Sequence, residues 1–552
     1  MRPPWADAPN AIYDPAVPRR PHPETLLFWA LLVLHLLPIW IFPFIPTQDG
    51  PGHQAVTAIL RQYGLPEAGL LRQYYLLNRE ALPNWLIFFL MGRALGFLAV
   101  PLAEKVVLTA YVVLLPLAAR HALRAIDPRA GFLAVMVFPF VYNYLFNMGF
   151  FNFCWSLAAF LFAVGYWLRH AERMGPGRTA VLALLMLWVY FCHPVTLAVT
   201  VAVLLTLAGW RMLLDLRAAP GRPSPRELWG HFRHRLLAPA LACVPPLVLI
   251  AAFLGRRTGA RITMMPMWVK LKQLAGLYSL SSLTRGTIPL AILLAFLFYG
   301  LAALCRRERR GLPPQTADGF LIATAVLTVV YFAAPSELAG GGFINQRLVL
   351  FPFLTLLLWL GTFEHPARRR LRVQIAAAGL ALAFLGLVVW KYAQLDRLLA
   401  EIVATADAVA PDHTLVFLSY AHRGDGSGGD LVYRTEPFLH VGGYIAVRKR
   451  LVDLSLYEAN EDYFPLLFRP SLNPYLYMSN GPLGIEKVPP EVDLLGYPRR
   501  TGGRIDYVLL WGLRDDQRGD PEVRGVLDQL AAGYSLVERS PSGRVLLYRA
   551  RS

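Results

Sequence analysis

The sequence predicts a polytopic α-helical membrane protein, with about 11 crossings plus one partial segment, carrying a soluble α/β domain at its C-terminus. Three observations lead there. Hydrophobic residues make up 56% of the 552-residue chain and charged ones only 16%, against the roughly 25% charged of soluble domains. Apolar runs such as 26–45, 181–207, 236–254 and 288–304 recur and approach the ~20 residues needed to cross a ~30 Å hydrocarbon layer. From about residue 396 the pattern shifts to short β-type runs separated by turns.

Residues 1–24 read as a Pro-rich, disordered cytoplasmic leader ending in Arg19-Arg20, with no cleavable signal pattern. The membrane part is 25–392. A first span over 25–45 is followed by a polar external loop, 46–82. Further spans are expected near 84–100, 103–122, 131–147, 150–169, 178–192, 194–214, 236–254, 287–304, 319–334, 347–363 and 371–391. The net charge of +18 lies mainly in the loops at 169–178, 211–235, 305–310 and 365–372. Basic loops stay cytoplasmic, so the charge speaks for topology and not for nucleic acid. Twelve full crossings would return the C-terminus to the cytoplasm, so one segment must be partial. The segment 131–147, broken by Pro139, Asn143 and Asn147, is expected to dip and return under protein cover.

In the domain 396–552, strands are expected at Thr414–Tyr420, Tyr444–Val447, Tyr507–Gly512 and in a hairpin over 534–550 turning at Ser540–Gly543. A helix is expected at 521–532 and a glycine-rich loop at 424–430. The four cysteines lie in or beside apolar runs and read as buried small hydrophobes.

Polar groups at a membrane boundary are costly and mark function. Asp49 and His53, immediately outside the first span, are i and i+4 and share a face if a helix begins there. Asp49 suits a general base and equally an N-cap before Gly50-Pro51. His193, between Cys192 and Pro194, is placed on the same aqueous side, as a site residue or an ordinary boundary histidine. The external loop 255–286 carries Arg256, Arg257, Arg261, Lys270, Lys272 and Arg285 among Met264, Met265, Met267 and Trp268. This set suits a phosphate ligand or a helix lying on anionic lipid. Arg347 opens a span and reads as a phosphate fork or a snorkelling arginine. Glu461-Asp462 reads as a solvated pair. No His, Cys and carboxylate set has metal-ligand spacing, so no metal or other cofactor is expected.

The run Asp49-Gly-Pro-Gly-His53, the Tyr142-Asn143 and Gly149-Phe-Phe-Asn-Phe153 stretches and His193-Pro194, with a long first external loop, resemble the C-type glycosyltransferase superfamily, GT-C, in a bacterial branch. The resemblance implies sugar transfer from a polyprenyl-phosphate donor at the outer face of the bacterial inner membrane. The acceptor would be an envelope glycan, lipid or protein, and the C-terminal domain would be periplasmic. Asp49 would be the base, with His53 beside it. His193, Arg261, Lys270, Arg285 and Arg347 would serve the substrate and its phosphate. The chain has Asp49 alone where the commonest pattern has an acidic pair. A transporter or flippase of a lipid-linked intermediate, or a non-catalytic assembly protein, are the competing readings.

Overall fold

The computed structural model describes residues 23–218, 224–256, 262–276, 280, 283–284, 287–310, 314–338 and 340–551. The leader falls outside them but for its last two residues, as do Arg257, Arg261 and Arg285.

Seven helices among the described residues are long and apolar enough to cross a membrane: Pro23–Ile41, Val100–Ile126, Phe151–Arg173, Pro194–Ala218, Leu237–Gly255, Thr316–Ala333 and Ala367–Ala408. Shorter apolar helices cover Pro128–Phe140, Pro176–Cys192, Leu290–Arg306 and Ile344–Leu360. The basic segments gather at one end of the bundle. There Arg235 binds Glu172 and Asp215, each at 2.7 Å, and Arg370 binds Glu24 at 2.5 Å. The first loop and the C-terminal domain sit together at the other end.

Two segments differ from expectation, and the differences compensate. The stretch 84–100 is not a span. It holds a four-residue α-helix, Leu86–Phe89, and a five-residue π-helix, Leu90–Ala94. Nine residues near 1.5 Å each reach only ~14 Å. Arg61 bonds to the carbonyls of Met91, Leu95 and Leu98, which keeps the segment at the loop end. The expected dip at 131–147 is instead a 3-10 helix, Pro128–Phe140, followed by a short helix, Tyr144–Asn147. At ~2.0 Å per residue, its thirteen residues extend ~26 Å. Phe132 meets His365 and Arg370 at the basic end, and Gln48 and Asp49 donate to the carbonyls of Asn147 and Met148 at the other. Every residue from Ala130 to Gly149 is buried, as an all-round apolar helix requires. The asparagines face protein: Asn143 caps Leu145 and Phe146, and Asn147 accepts from Tyr392 at 2.7 Å.

The C-terminal domain is a five-stranded sheet of order β3-β2-β5-β7-β6. Its strands are β2 (Thr414–Ser419), β3 (Val452–Asp453), β5 (Tyr507–Trp511), β6 (Tyr534–Arg539) and β7 (Val545–Ala550). β2 runs parallel to β3 and β5, with Val416 opposite Val508. The β6–β7 hairpin lies antiparallel against β5. β2 and β5 are wholly buried, in keeping with their continuous apolar runs. The expected helix forms as Pro521–Gly533, its first turn capped by Asp520. The strand expected at Tyr444–Val447 is a helix, Gly442–Lys449; a four-residue apolar run does not separate the two states.

Strand β1 (Tyr75–Leu77) from the first loop pairs antiparallel with β4 (Leu466–Phe468), Tyr75 opposite Phe468. Tyr444 donates to the Ile45 carbonyl at 3.0 Å and Glu436 N–H to Gln48 Oε1 at 3.1 Å. Loop and domain therefore close over the bundle end as one unit.

Candidate active site

Asp49 immediately precedes helix Gly50–Gln62, and Pro51 sits in that helix's first turn, where its missing N–H costs nothing. The capping alternative does not hold, because the Asp49 side chain makes no capping hydrogen bond. Its Oδ2 accepts from the Tyr457 hydroxyl at 3.0 Å, and its Oδ1 lies 3.8 Å from His440 Nε2. The chain can come this close because Gly149 has φ +89°, and a Cβ there would lie 2.9 Å from Asp49 Cβ.

His53 shares the helix face, as i, i+4 spacing requires. Its Nε2–H donates to the Gly149 carbonyl at 3.0 Å, which leaves Nδ1 with a lone pair. That lone pair faces Glu458 Oε1 at 3.3 Å. Glu458 is fully buried and reaches this point because residue 52 is glycine; a Cβ there would stand 2.2 Å from its Oε1.

Burial sets the electrostatics. It raises the Asp49 carboxyl to about 7, although neighbouring His53 pulls the other way. It raises Glu458 well above the usual carboxylate range and Glu486 to about 7. It lowers His53, and takes His440 down to about 3. The cluster thus holds neutral imidazoles, one protonated carboxyl, Glu458, and two carboxyls poised near neutrality, Asp49 and Glu486.

Asp49, His53, His440 and Glu486 border a cavity of about 460 Å³. One wall is polar: Asp49, His53, His440, Tyr457 and Glu486. The opposite wall is apolar, from Val195 and Ala198 on one helix and Ile250, Phe253 and Leu254 on another. His193 and Arg347 stand between them. Arg347 is half-buried, with its guanidinium 4.6 Å from the Phe150 ring centre and bonded to the Gly342 carbonyl. It has no carboxylate partner among the described residues, and its Nε is unpaired.

The structure therefore brings together Asp49, His53, His193 and Arg347. It does not bring Lys270 to the cavity. That ammonium is buried and donates to the carbonyls of Phe332 (2.8 Å) and Ala334 (2.7 Å), where it neutralises a helix C-terminus. Arg256 is taken by Glu80 at 2.7 Å. His440, Tyr457, Glu458 and Glu486 were not read from the sequence. The one available signal was the run Tyr457-Glu-Ala-Asn-Glu-Asp-Tyr-Phe464, acids and aromatics with neither helix nor strand period. No group of three or more His, Cys, Asp or Glu with metal-binding geometry occurs among the described residues.

No family model matches the chain, and no curated protein matches it in sequence.

Proposed function

We propose that this chain is a membrane glycosyltransferase of the GT-C kind, taking its sugar from a polyprenyl-phosphate donor. One observation carries the reading. An arginine with no carboxylate partner among the described residues and a buried carboxyl poised near pH 7 border one cavity, whose other lining is largely apolar. An amphipathic phosphate ester fits such a cavity, with its chain along Ile250, Phe253 and Leu254 and its phosphate toward Arg347. The acceptor hydroxyl loses its proton to Asp49 as its oxygen bonds to the anomeric carbon. The bond from that carbon to the phosphate oxygen breaks, and the phosphate leaves with the electron pair, its charge met by Arg347. Attack opposite the leaving group inverts the anomeric centre. His440 and Tyr457 hold the carboxylate in place.

In this reading the seven long and four shorter apolar helices make eleven crossings. The 3-10 helix counts among them, and 84–98 lies outside the bilayer. The basic end is cytoplasmic, and the loop and C-terminal domain face away from the cytoplasm, the inner-membrane periplasmic side if the bacterial resemblance holds. The lining that the C-terminal domain adds to the cavity, His440, Tyr457 and Glu486 among it, favours a one-sided site over a two-sided transport pathway.

The decisive experiment incubates the purified protein with polyprenyl-phosphate sugars and an acceptor library. Transfer that leaves free polyprenyl phosphate is expected. Movement of intact lipid-linked sugar across vesicles, with no transfer, overturns the reading in favour of a flippase. Single cysteines at Glu67 and Glu522 should both label from the non-cytoplasmic side; labelling of only one refutes the topology.

A further inference from the structure

A second cavity, about 310 Å³, lies at the opposite end of the bundle. It runs between the 3-10 helix (Met136, Pro139), helix Thr287–Arg310 (Phe298, Tyr299) and helix Ala367–Ala404 (Ala376, Leu380). Its walls are almost wholly apolar, and Phe298 and Leu301 beside it are strongly exposed, at 75% and 61%. Arg306, Arg369 and Arg372 line one end.

The state of these arginines sets them apart from their neighbours. Arg370 is paired with Glu24, and Arg235 with Glu172 and Asp215. Arg306 bonds the Ala302 carbonyl, one turn back on its own helix, and has no carboxylate partner among the described residues. Neither Arg369 nor Arg372 has a carboxylate partner among the described residues. The other polar groups here are engaged with each other. The Tyr299 hydroxyl donates to His365 Nδ1 at 2.7 Å, and His365 Nε2 donates to the Leu360 carbonyl at 3.0 Å. Three guanidinium groups line an apolar groove with no carboxylate to meet them among the described residues.

We propose that this groove is a binding site for an anionic glycerophospholipid of the surrounding leaflet. An acyl chain lies between Phe298, Ala376 and Leu380, and the phosphate is held by Arg306, Arg369 and Arg372. Guanidinium forks suit phosphate oxygens, and basic residues at the bilayer surface favour anionic headgroups. The lipid would wedge helix Thr287–Arg310 against the 3-10 helix Pro128–Phe140, which lacks an α-helical ladder. The inference rests on the membrane placement proposed above and not on glycosyl transfer.

The test uses delipidated full-length protein in neutral detergent, with phosphatidylglycerol or phosphatidylcholine added and bound lipid counted by native mass spectrometry. Wild type is expected to bind phosphatidylglycerol at least about tenfold more tightly, since each basic residue near the surface contributes several-fold. The triple variant Arg306→Gln, Arg369→Gln, Arg372→Gln should lose that preference. Ala376→Phe, which fills the groove from its exposed side and keeps all three charges, should weaken binding of both lipids. Asp49→Asn should bind like wild type, which separates this site from the catalytic reading. Equal binding of the two lipids by wild type, or an unchanged preference in the triple variant, overturns the proposal. So does wild-type binding by Ala376→Phe, which would place the anion on the arginines alone. A protein that stays monodisperse without detergent would overturn the membrane placement and this site with it.

Discussion

Two acidic neighbourhoods meet where the C-terminal domain covers the bundle, and they are built on opposite principles. On the domain side, Glu436 is bound by Arg423 at 2.7 Å and faces His422 at 3.6 Å. Burial alone would raise its carboxyl, but His422 and Arg423 outweigh burial and bring it down to about 2. Asp49 and Glu458, around His53, are at least as buried and have no Lys or Arg paired with them among the described residues; both are raised. A paired buried carboxylate joins two segments. An unpaired one is costly to the fold, and such groups gather at functional sites. The contrast gives Glu436 a structural role and supports the chemistry proposed for Asp49.

The comparison breaks most visibly at Asp49. Asp49→Asn keeps the side-chain shape, can still accept from Tyr457, and removes the base. Transfer is expected to fall by ~10²–10⁴-fold, with expression and melting temperature unchanged. Transfer at the wild-type rate would remove Asp49 as the base. Loss of folding would return it to the structural class of Glu436.

Glu436→Gln should do the reverse. Its carboxyl is depressed, so its stabilisation is fully present above the unfolded value near 4.5 and is lost as pH falls through about 2. Replacing it should destabilise the protein at pH 7 by about 1–2 kcal/mol and leave the chemical step intact once folded. The deficit should shrink toward pH 2 in thermal unfolding. A pH-independent deficit would argue against the ion pair as its source.

Glu458→Gln is expected to stabilise. A raised carboxyl holds its proton in the folded state while the unfolded chain ionises above about 4.5, so wild-type stability declines as pH rises beyond that point. The variant should melt about 2–4 °C higher at pH 7–8 and match wild type below pH 4. A lower melting temperature at pH 7 would show that the contact with His53 stabilises the fold more than the buried carboxyl costs.

The same contrast explains what the sequence disclosed. Asp49, His53, His193 and Arg347 sit at span boundaries, where hydropathy changes abruptly and a polar residue is conspicuous. Glu458 and Tyr457 lie 409 and 408 positions from Asp49 in a segment without periodicity, and the packing of the C-terminal domain on the first loop, the β1–β4 pairing included, brings them in. Lys270 shows the opposite failure: a lysine in an external loop reads as free until the carbonyls that hold it are seen. Pro139 and two asparagines make 131–147 look like a dip; Pro139 lies in a buried 3-10 helix, while Asn143 caps and Asn147 ends the short helix that follows. The segment 84–100 looked apolar enough to span, yet its helix ends at Ala94, with Gly92 in the π-helix and Gly96 in the turn that follows.

The smallest expected effect refines the assignment. The Tyr457 hydroxyl donates to Asp49 and favours its charged form, against the burial that disfavours it. Tyr457→Phe keeps the ring that stacks on His440, 4.7 Å between centres, and removes only the donor. The Asp49 pKa should then rise above about 7. A base acts when deprotonated, so the acid limb of the pH–rate profile should move to higher pH. One neutral hydrogen bond is worth ~0.5–1.5 kcal/mol, which corresponds to up to about one pH unit. The rate at pH 9, where Asp49 is ionised in both proteins, should change little. A uniform loss at every pH would instead make Tyr457 a substrate contact, and a shift to lower pH would mean that the limb reports a group other than Asp49.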